Sequence, residues 1–376
     1  MKRIVICCDG TWNTSEQRHP TNVVKIRDAA LGRLSDGTEQ AIYYHDGVGT
    51  RSWIDKLPGG IFGAGLWQNV QSAYKYLVEH YEVGDELFFF GFSRGAYTAR
   101  SVVGMVRKCG ILRKEEIGRI QEAYDLYRNR QIKPDGGPAQ CFRFKHGVLD
   151  ANPPADTQRD IPPIRFIGVW DTVGSLGIPL GLLGRVFNRK HRFHDVSLSR
   201  IVANAYQALA IDEKRKPFKP ALWEQHPDAT KQTMEQRWFA GVHTNVGGGN
   251  ADARQSDRTL LWIMSKAEAC GLAFGADYVR QSIRDDPDGG LADSLFHQVA
   301  RHIPFNLLTY VRPIGEGVPV AEATYLGGLS HEIVDPAVID RNISDPSYKP
   351  TGLVSYFREQ PQALIEAKGA SRSVWR

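Results

Sequence analysis

Leu87-Phe-Phe-Phe-Gly91-Phe-Ser93-Arg-Gly95-Ala-Tyr-Thr-Ala-Arg100 is the stretch on which the reading of the whole chain turns. Four apolar residues lead into G-x-S-x-G. A segment without Pro follows, placing Ala99, Val102, Val103 and Val106 on one side before Gly110 stops it. A short, uniformly apolar run reads as a strand buried on both faces, and the spacing after it as a helix. A serine held between the two must sit in a tight, strained turn. Glycines two positions to either side let strand and helix approach without a side-chain clash. Such a turn exposes the Ser93 hydroxyl and aims the N–H of Arg94 at a developing oxyanion. The motif alone is weak, since chance supplies it in roughly one chain in eight of this length at average Gly and Ser usage. Its strand–turn–helix context makes Ser93 the candidate nucleophile rather than part of an ordinary turn.

Outward from this stretch, Ile4–Cys8, Ala41–Tyr44, Phe166–Trp170 and Trp238–Val242 are also apolar throughout. Between the second of these and Leu87, residues Leu66, Val70, Ala73, Tyr74 and Leu77 recur at helical spacing. Strands alternating with helices predict an α/β fold with a mainly parallel central sheet flanked by helices. Two long intervals, about 111–163 and 172–236, break the alternation and are expected to form cap or lid insertions on a single domain spanning 1–376. Each apolar run is followed by a residue able to do chemistry: Asp9, Asp46, Ser93, Asp171 and His243. Sites in parallel sheets form beyond the carboxyl ends of the strands, so these five are candidates for one convergent site.

Composition narrows the function. The 376 residues are 42% hydrophobic and 24% charged, enough to bury a large core without disulfides or metals. A net charge of +5, scattered rather than striped, argues against nucleic acid as partner and allows a transient contact with an anionic membrane surface. The five cysteines form no disulfide or metal pattern and read as buried, reduced thiols. No signal peptide or membrane-spanning run is legible, which predicts a cytoplasmic protein and leaves signal-independent export open. The apolar, glycine-containing segment Leu176–Phe187 would line an acyl pocket, dip into a membrane surface or lie buried in a lid. Gly59-Gly60-Ile-Phe-Gly63-Ala-Gly65 lacks the Lys-Ser/Thr of a phosphate loop and reads as a connection.

A serine nucleophile needs a base and an acid to orient that base. His243, in Phe239-Ala-Gly-Val-His-Thr-Asn-Val-Gly-Gly-Gly249, lies just past a strand and is the preferred base, with His331, His297 and His302 as rivals. Asp171, in Val169-Trp-Asp-Thr-Val-Gly174, is the preferred acid, with Asp46, Asp195 and Asp257 as substitutes. The chain order Ser93, Asp171, His243 is that of α/β hydrolases. The loop Asp9-Gly10-Thr11 after the first strand is expected to give the second oxyanion donor from Gly10 or Thr11, with Asp9 shaping it. The haloacid-dehalogenase alternative for this loop would need an aspartate where Cys7 stands.

Six stretches together resemble a family of bacterial and fungal α/β-hydrolase domains long labelled DUF2235, which includes phospholipase effectors of type VI secretion. They are Cys8-Asp-Gly-Thr-Trp-Asn13, Tyr44-His-Asp-Gly-Val-Gly-Thr50, Gly91-Phe-Ser-Arg-Gly-Ala-Tyr-Thr-Ala-Arg100, Val169-Trp-Asp-Thr-Val-Gly-Ser-Leu-Gly177, Ala208-Leu-Ala-Ile-Asp-Glu-Lys-Arg215 and Trp238–Gly249. The resemblance runs in order over about residues 3–265. It implies the α/β-hydrolase fold, a Ser93–Asp171–His243 triad and phospholipase activity. One departure is Asn245, where the family commonly has Asp two residues after the histidine. The expected function is hydrolysis of a carboxylic ester, small or lipid, through an acyl-enzyme and with neither metal nor organic cofactor. A peptidase or thioesterase with the same triad and a non-catalytic binding module on the same scaffold are the alternatives.

Overall fold

The run that decides the sequence reading is β3 (Glu86–Phe92), a strand with β1 (Arg3–Cys8) on one side and β4 (Ile164–Trp170) on the other. A computed structural model of the chain describes residues 1–10, 13–47, 61–153, 158–173, 197–286, 289–291, 310–314, 330–345 and 347–359. Within them the central sheet adds β2 (Gln40–His45), β6 (Asn204–Ala210), β8 (Thr233–Phe239) and β9 (Glu332–Val334), in the order β2-β1-β3-β4-β6-β8-β9. Every pairing in it is parallel. A separate two-stranded pair joins β5 (Ser197–Leu198) to β7 (Glu224–Gln225).

The helices explain why the strands are apolar without alternation. On one face lie α2 (Ile61–His80), α3 (Arg94–Cys109), α4 (Ile120–Arg128) and α5 (Gly137–His146); their core takes Ile4, Ile6, Leu87, Phe89, Ile167 and Val169. The other face is covered by α1 (Asn22–Ala29) and α7 (Arg254–Ala269), against Val5, Cys7, Phe88, Phe90, Phe166 and Trp170. Odd and even residues of one strand therefore enter two different cores, and both sets must be apolar. The single-turn α6 (His243–Gly247) packs on α7 and on β6. Further along come α8 (Ala276–Ser282), α9 (Pro336–Ser344) and α10 (Thr351–Glu359), and a third cluster packs Val338, Ile339 and Leu353 on Leu209, Trp238 and Val334. The fold is α/β with a mostly parallel sheet between helical layers.

The structure differs from the sequence reading at 172–236. That interval does not lie wholly outside the sheet, because it contributes β6 and the start of β8. Both strands carry a buried glutamine at their centre. Gln207 Nε2 donates to Gln236 Oε1 at 2.8 Å, and Gln236 also accepts the Trp223 N–H at 2.8 Å and donates to the Ser330 carbonyl at 2.6 Å. Amides satisfied by one another can be buried, but in a sequence they break an apolar run. Thr11, Leu176–Phe187, Gly59–Gly60, Asp195, His297 and His302 lie outside the described residues.

Candidate active site

Ser93 occupies the junction between β3 and α3 with φ 57° and ψ −120°, in the left-handed region that non-glycine residues rarely enter. Such a conformation costs on the order of 1–3 kcal/mol and persists only where surroundings impose it. They do so here through backbone packing. A Cβ at Gly95 would lie 2.1 Å from the Cys8 carbonyl oxygen, and one at Gly91 would lie 2.6 Å from the Ala96 Cα. The helix start thus rides directly on the end of β1, and the Ser93 N–H is fixed to the Trp170 carbonyl at 3.0 Å. Gly95→Ala pushes a methyl into main chain that cannot yield. We expect it to destabilise the protein by about 2–3 kcal/mol, read as a lower urea midpoint with an unchanged denaturant slope.

One strand along, Asp171 follows β4, again with positive φ (41°), and its N–H is held by the Ala208 carbonyl at 2.7 Å. Its carboxylate is fully buried and shared. Oδ2 lies 2.5 Å from His243 Nδ1, while Arg312 reaches Oδ1 through Nη1 at 2.6 Å and Oδ2 through Nη2 at 3.0 Å. The Ala210 N–H donates to Oδ1 as well, at 3.1 Å. Burial pushes this carboxyl up, but the Arg312 charge and the hydrogen bond with His243 outweigh it and hold it well below the usual carboxylate range. A carboxylate that stays ionised and accepts the hydrogen bond from Nδ1–H leaves Nε2 of His243 as the acceptor.

The imidazole itself is clamped. Its ring lies 4.6 Å from the Phe92 ring and 4.8 Å, edge-on, from the Phe218 ring, centroid to centroid. Its backbone N–H, the first of α6, donates to Glu213 Oε2 at 3.3 Å. Glu213 in turn is paired with Arg215, whose guanidinium covers Phe218 at 3.6 Å. Phe92 immediately precedes Ser93, so His243 stands against the turn that carries the serine. Asn245 Oδ1 accepts the Val242 N–H at 3.1 Å and so closes the start of α6.

Arg312 was not legible in the sequence as a site residue. It comes from a short segment far downstream, in Tyr310-Val-Arg-Pro-Ile314, and is 2% exposed. Besides Asp171 it donates to the carbonyls of Ala210 and Phe218, at 2.8 and 2.5 Å. Nothing local marks it; its role follows from the burial of the charge it meets.

The loop after β1 is described as far as Gly10 and again from Asn13. The Gly10 N–H donates to Asp9 Oδ1 at 2.6 Å. Asp9 shapes the loop: its Oδ2 accepts the hydroxyls of Thr21 (2.7 Å) and Tyr44 (2.8 Å). Burial pushes the Asp9 carboxyl up to about 6 against these three donors. Arg94 is the first residue of α3, directly after Ser93.

The rival residues are placed elsewhere. His331 precedes β9, level with the middle of β8, and bonds Gln225 Oε1 at 2.7 Å. Asp257 is paired with Lys25 between α7 and α1. Asp46 accepts the Ser15 N–H at 3.3 Å. Among the described residues no three His, Cys, Asp or Glu side chains converge as a metal-binding group.

Residues 2–266 match the family described as the catalytic domain of Tle1-like phospholipase effectors of the type VI secretion system. The chain belongs to this family. It is thus a member of a family of phospholipase catalytic domains, and Arg312 lies beyond the matched segment. An uncharacterized protein of Saccharomyces cerevisiae is 28% identical over 240 residues, which are 60% of this chain and 33% of that protein. An uncharacterized protein from Pseudomonas aeruginosa aligns with 15% identity and a TM-score of 0.44, covering 76% of this chain and 49% of the other. The Tle1 effector, solved bound to the VgrG spike of the type VI secretion system, aligns with 18% identity and a TM-score of 0.35, covering 66% and 51%. The chain spans about half the length of these two solved relatives and a third of the yeast protein.

Proposed function

We propose that this Tle1-like domain is a serine hydrolase that cleaves an acyl ester of a lipid, with Ser93, His243 and Asp171 as nucleophile, base and orienting acid. The observation that carries the reading is the buried Asp171–His243 pair, 2.5 Å apart, its imidazole packed on Phe92, the residue before a serine held at positive φ between strand and helix. Ser93 Oγ attacks the ester carbonyl carbon and its proton passes to His243 Nε2. The imidazolium so formed is supported by Asp171 through Nδ1. The oxyanion of the tetrahedral adduct is met by the Arg94 N–H and the positive end of α3. Collapse breaks the bond to the alcohol, which leaves with the proton from His243. Water then attacks the acyl-Ser93 ester by the same route in reverse.

The lipid assignment rests on the family of phospholipase catalytic domains. No helix among the described residues is long and apolar enough to cross a membrane. A substrate in a bilayer would therefore be reached from the surface, which a net charge of +5 favours when the lipids are anionic. A fluorophosphonate probe, which phosphonylates an activated serine, should label the wild type and leave Ser93→Ala unlabelled. Equal labelling of the two proteins removes Ser93 from the mechanism.

A further inference from the structure

On the α3 face, away from the candidate active site, lies a cavity of about 500 Å³. Its lining includes Ile167, four positions before Asp171 on the β4 side, or about 13 Å back along the sheet. Neither Ser93, Asp171 nor His243 lines it. Its wall is the stripe of α3 formed by Arg100, Val103, Gly104, Arg107 and Lys108, at spacings of three and four that put them on one face. On a helix packed against a sheet such a stripe is normally apolar. Here it carries three cations, and all three are buried: Arg100 is 7%, Arg107 9% and Lys108 5% exposed. Three more, Arg130, Lys133 and Arg200, are exposed at the rim. Among the described lining residues one carboxylate, Asp135, faces these six charges.

The compensation is incomplete. Asp135 takes Arg107 Nη2 at 2.6 Å through both oxygens and Arg200 Nη2 at 3.2 Å. Arg107 Nη1 is buried with no hydrogen-bond partner among the described residues. Lys108 Nζ meets the carbonyls of Asn129 (2.5 Å) and Tyr127 (3.3 Å), neutral groups that leave its charge uncancelled. Burying the Lys108 charge without a counter-charge is costly, and so is a buried N–H without an acceptor. A fold that keeps both, in a cavity of the size that holds small molecules (roughly 300–1,000 Å³), has room for the missing anion.

We propose that this cavity binds a phosphorylated small molecule, its phosphate taken by Arg107 and Lys108 and its organic part lying against Val103, Ile132 and Trp223. A guanidinium offers the planar donors a phosphate oxygen accepts best, and the adjacent ammonium adds a point charge. The exposed rim cations draw the anion in. The apolar lining explains why an organophosphate suits the space better than a bare ion. Nothing in this site depends on Ser93 being a nucleophile, so it stands or falls apart from the hydrolase reading. The phosphate could arrive on a soluble ester or as a lipid headgroup.

The test is calorimetric titration of the full chain with inorganic phosphate, glycerol 3-phosphate and glycerol, and sedimentation with phosphatidylglycerol vesicles. Wild type and Ser93→Ala should bind glycerol 3-phosphate at one site and ignore glycerol. Arg107→Gln should weaken binding at least about tenfold, the loss of one charge-assisted contact, and Lys133→Glu, which reverses a charge at the rim, should weaken it severalfold and more so at low salt. Lys133 is exposed at the rim, so its variant decides the matter if Arg107→Gln fails to fold. Binding of soluble phosphates without vesicle binding assigns a soluble ligand; vesicle binding lost in Lys133→Glu assigns a headgroup. No binding of any phosphorylated probe in the millimolar range, or variants that bind as the wild type does, overturns the proposal.

Discussion

His243→Ala should lower kcat on an acyl ester by about 10⁴–10⁶-fold, the scale on which serine hydrolases lose rate when base or nucleophile is removed. The protein should still fold, and the reason is specific to this site. Removing the imidazole from most triads strands a buried carboxylate, but here Asp171 keeps its bidentate contact with Arg312 and the Ala210 N–H. What is lost is ring packing on Phe92 and Phe218. The sharper measurement is the double variant Ser93→Ala/His243→Ala. If the two side chains act as one device, the second substitution costs almost nothing after the first. Losses that multiply, or a His243→Ala enzyme that keeps a tenth of its rate, would mean that the base lies elsewhere.

How much of this was legible in the sequence follows from what each residue meets. β1, β3 and β4 are buried on both faces, so their residues had to be apolar and the strands announced themselves. The same burial made Ser93, Asp171 and His243 conspicuous as polar residues at the ends of apolar runs. β6 and the first part of β8 were hidden because Gln207 and Gln236 satisfy each other across the sheet. Polarity in a sequence cannot reveal whether its partner is water or another amide. Arg312 needed the most remote information. It lies 141 positions from Asp171, and an arginine in a loop ordinarily reads as surface.

Arg312→Met should cost about 3–5 kcal/mol of stability at neutral pH, the penalty for leaving a buried charge without its partner. Met keeps much of the arginine stem's volume, so packing contributes little to this figure. The pH dependence separates charge from shape. In the wild type the folded Asp171 carboxyl is held below its unfolded value. The stability this supplies is complete above the unfolded carboxyl range near 4 and is lost only as pH falls through it. In the variant the burial that Arg312 outweighed is no longer opposed by that charge, and the carboxyl shifts upward. A folded carboxyl raised above its unfolded value is stabilising at low pH and loses that contribution as pH rises. The gap between wild type and variant should therefore be widest near pH 7 and should narrow on acidification towards pH 5, measured by urea unfolding at each pH. Asp171→Asn in the Arg312→Met background removes the stranded charge and should recover part of the loss and flatten its pH dependence. A gap that stays constant with pH, or a double variant less stable than Arg312→Met alone, would show that Arg312 supports the fold through packing and through its bonds to the Ala210 and Phe218 carbonyls, and that Asp171 remains ionised without it.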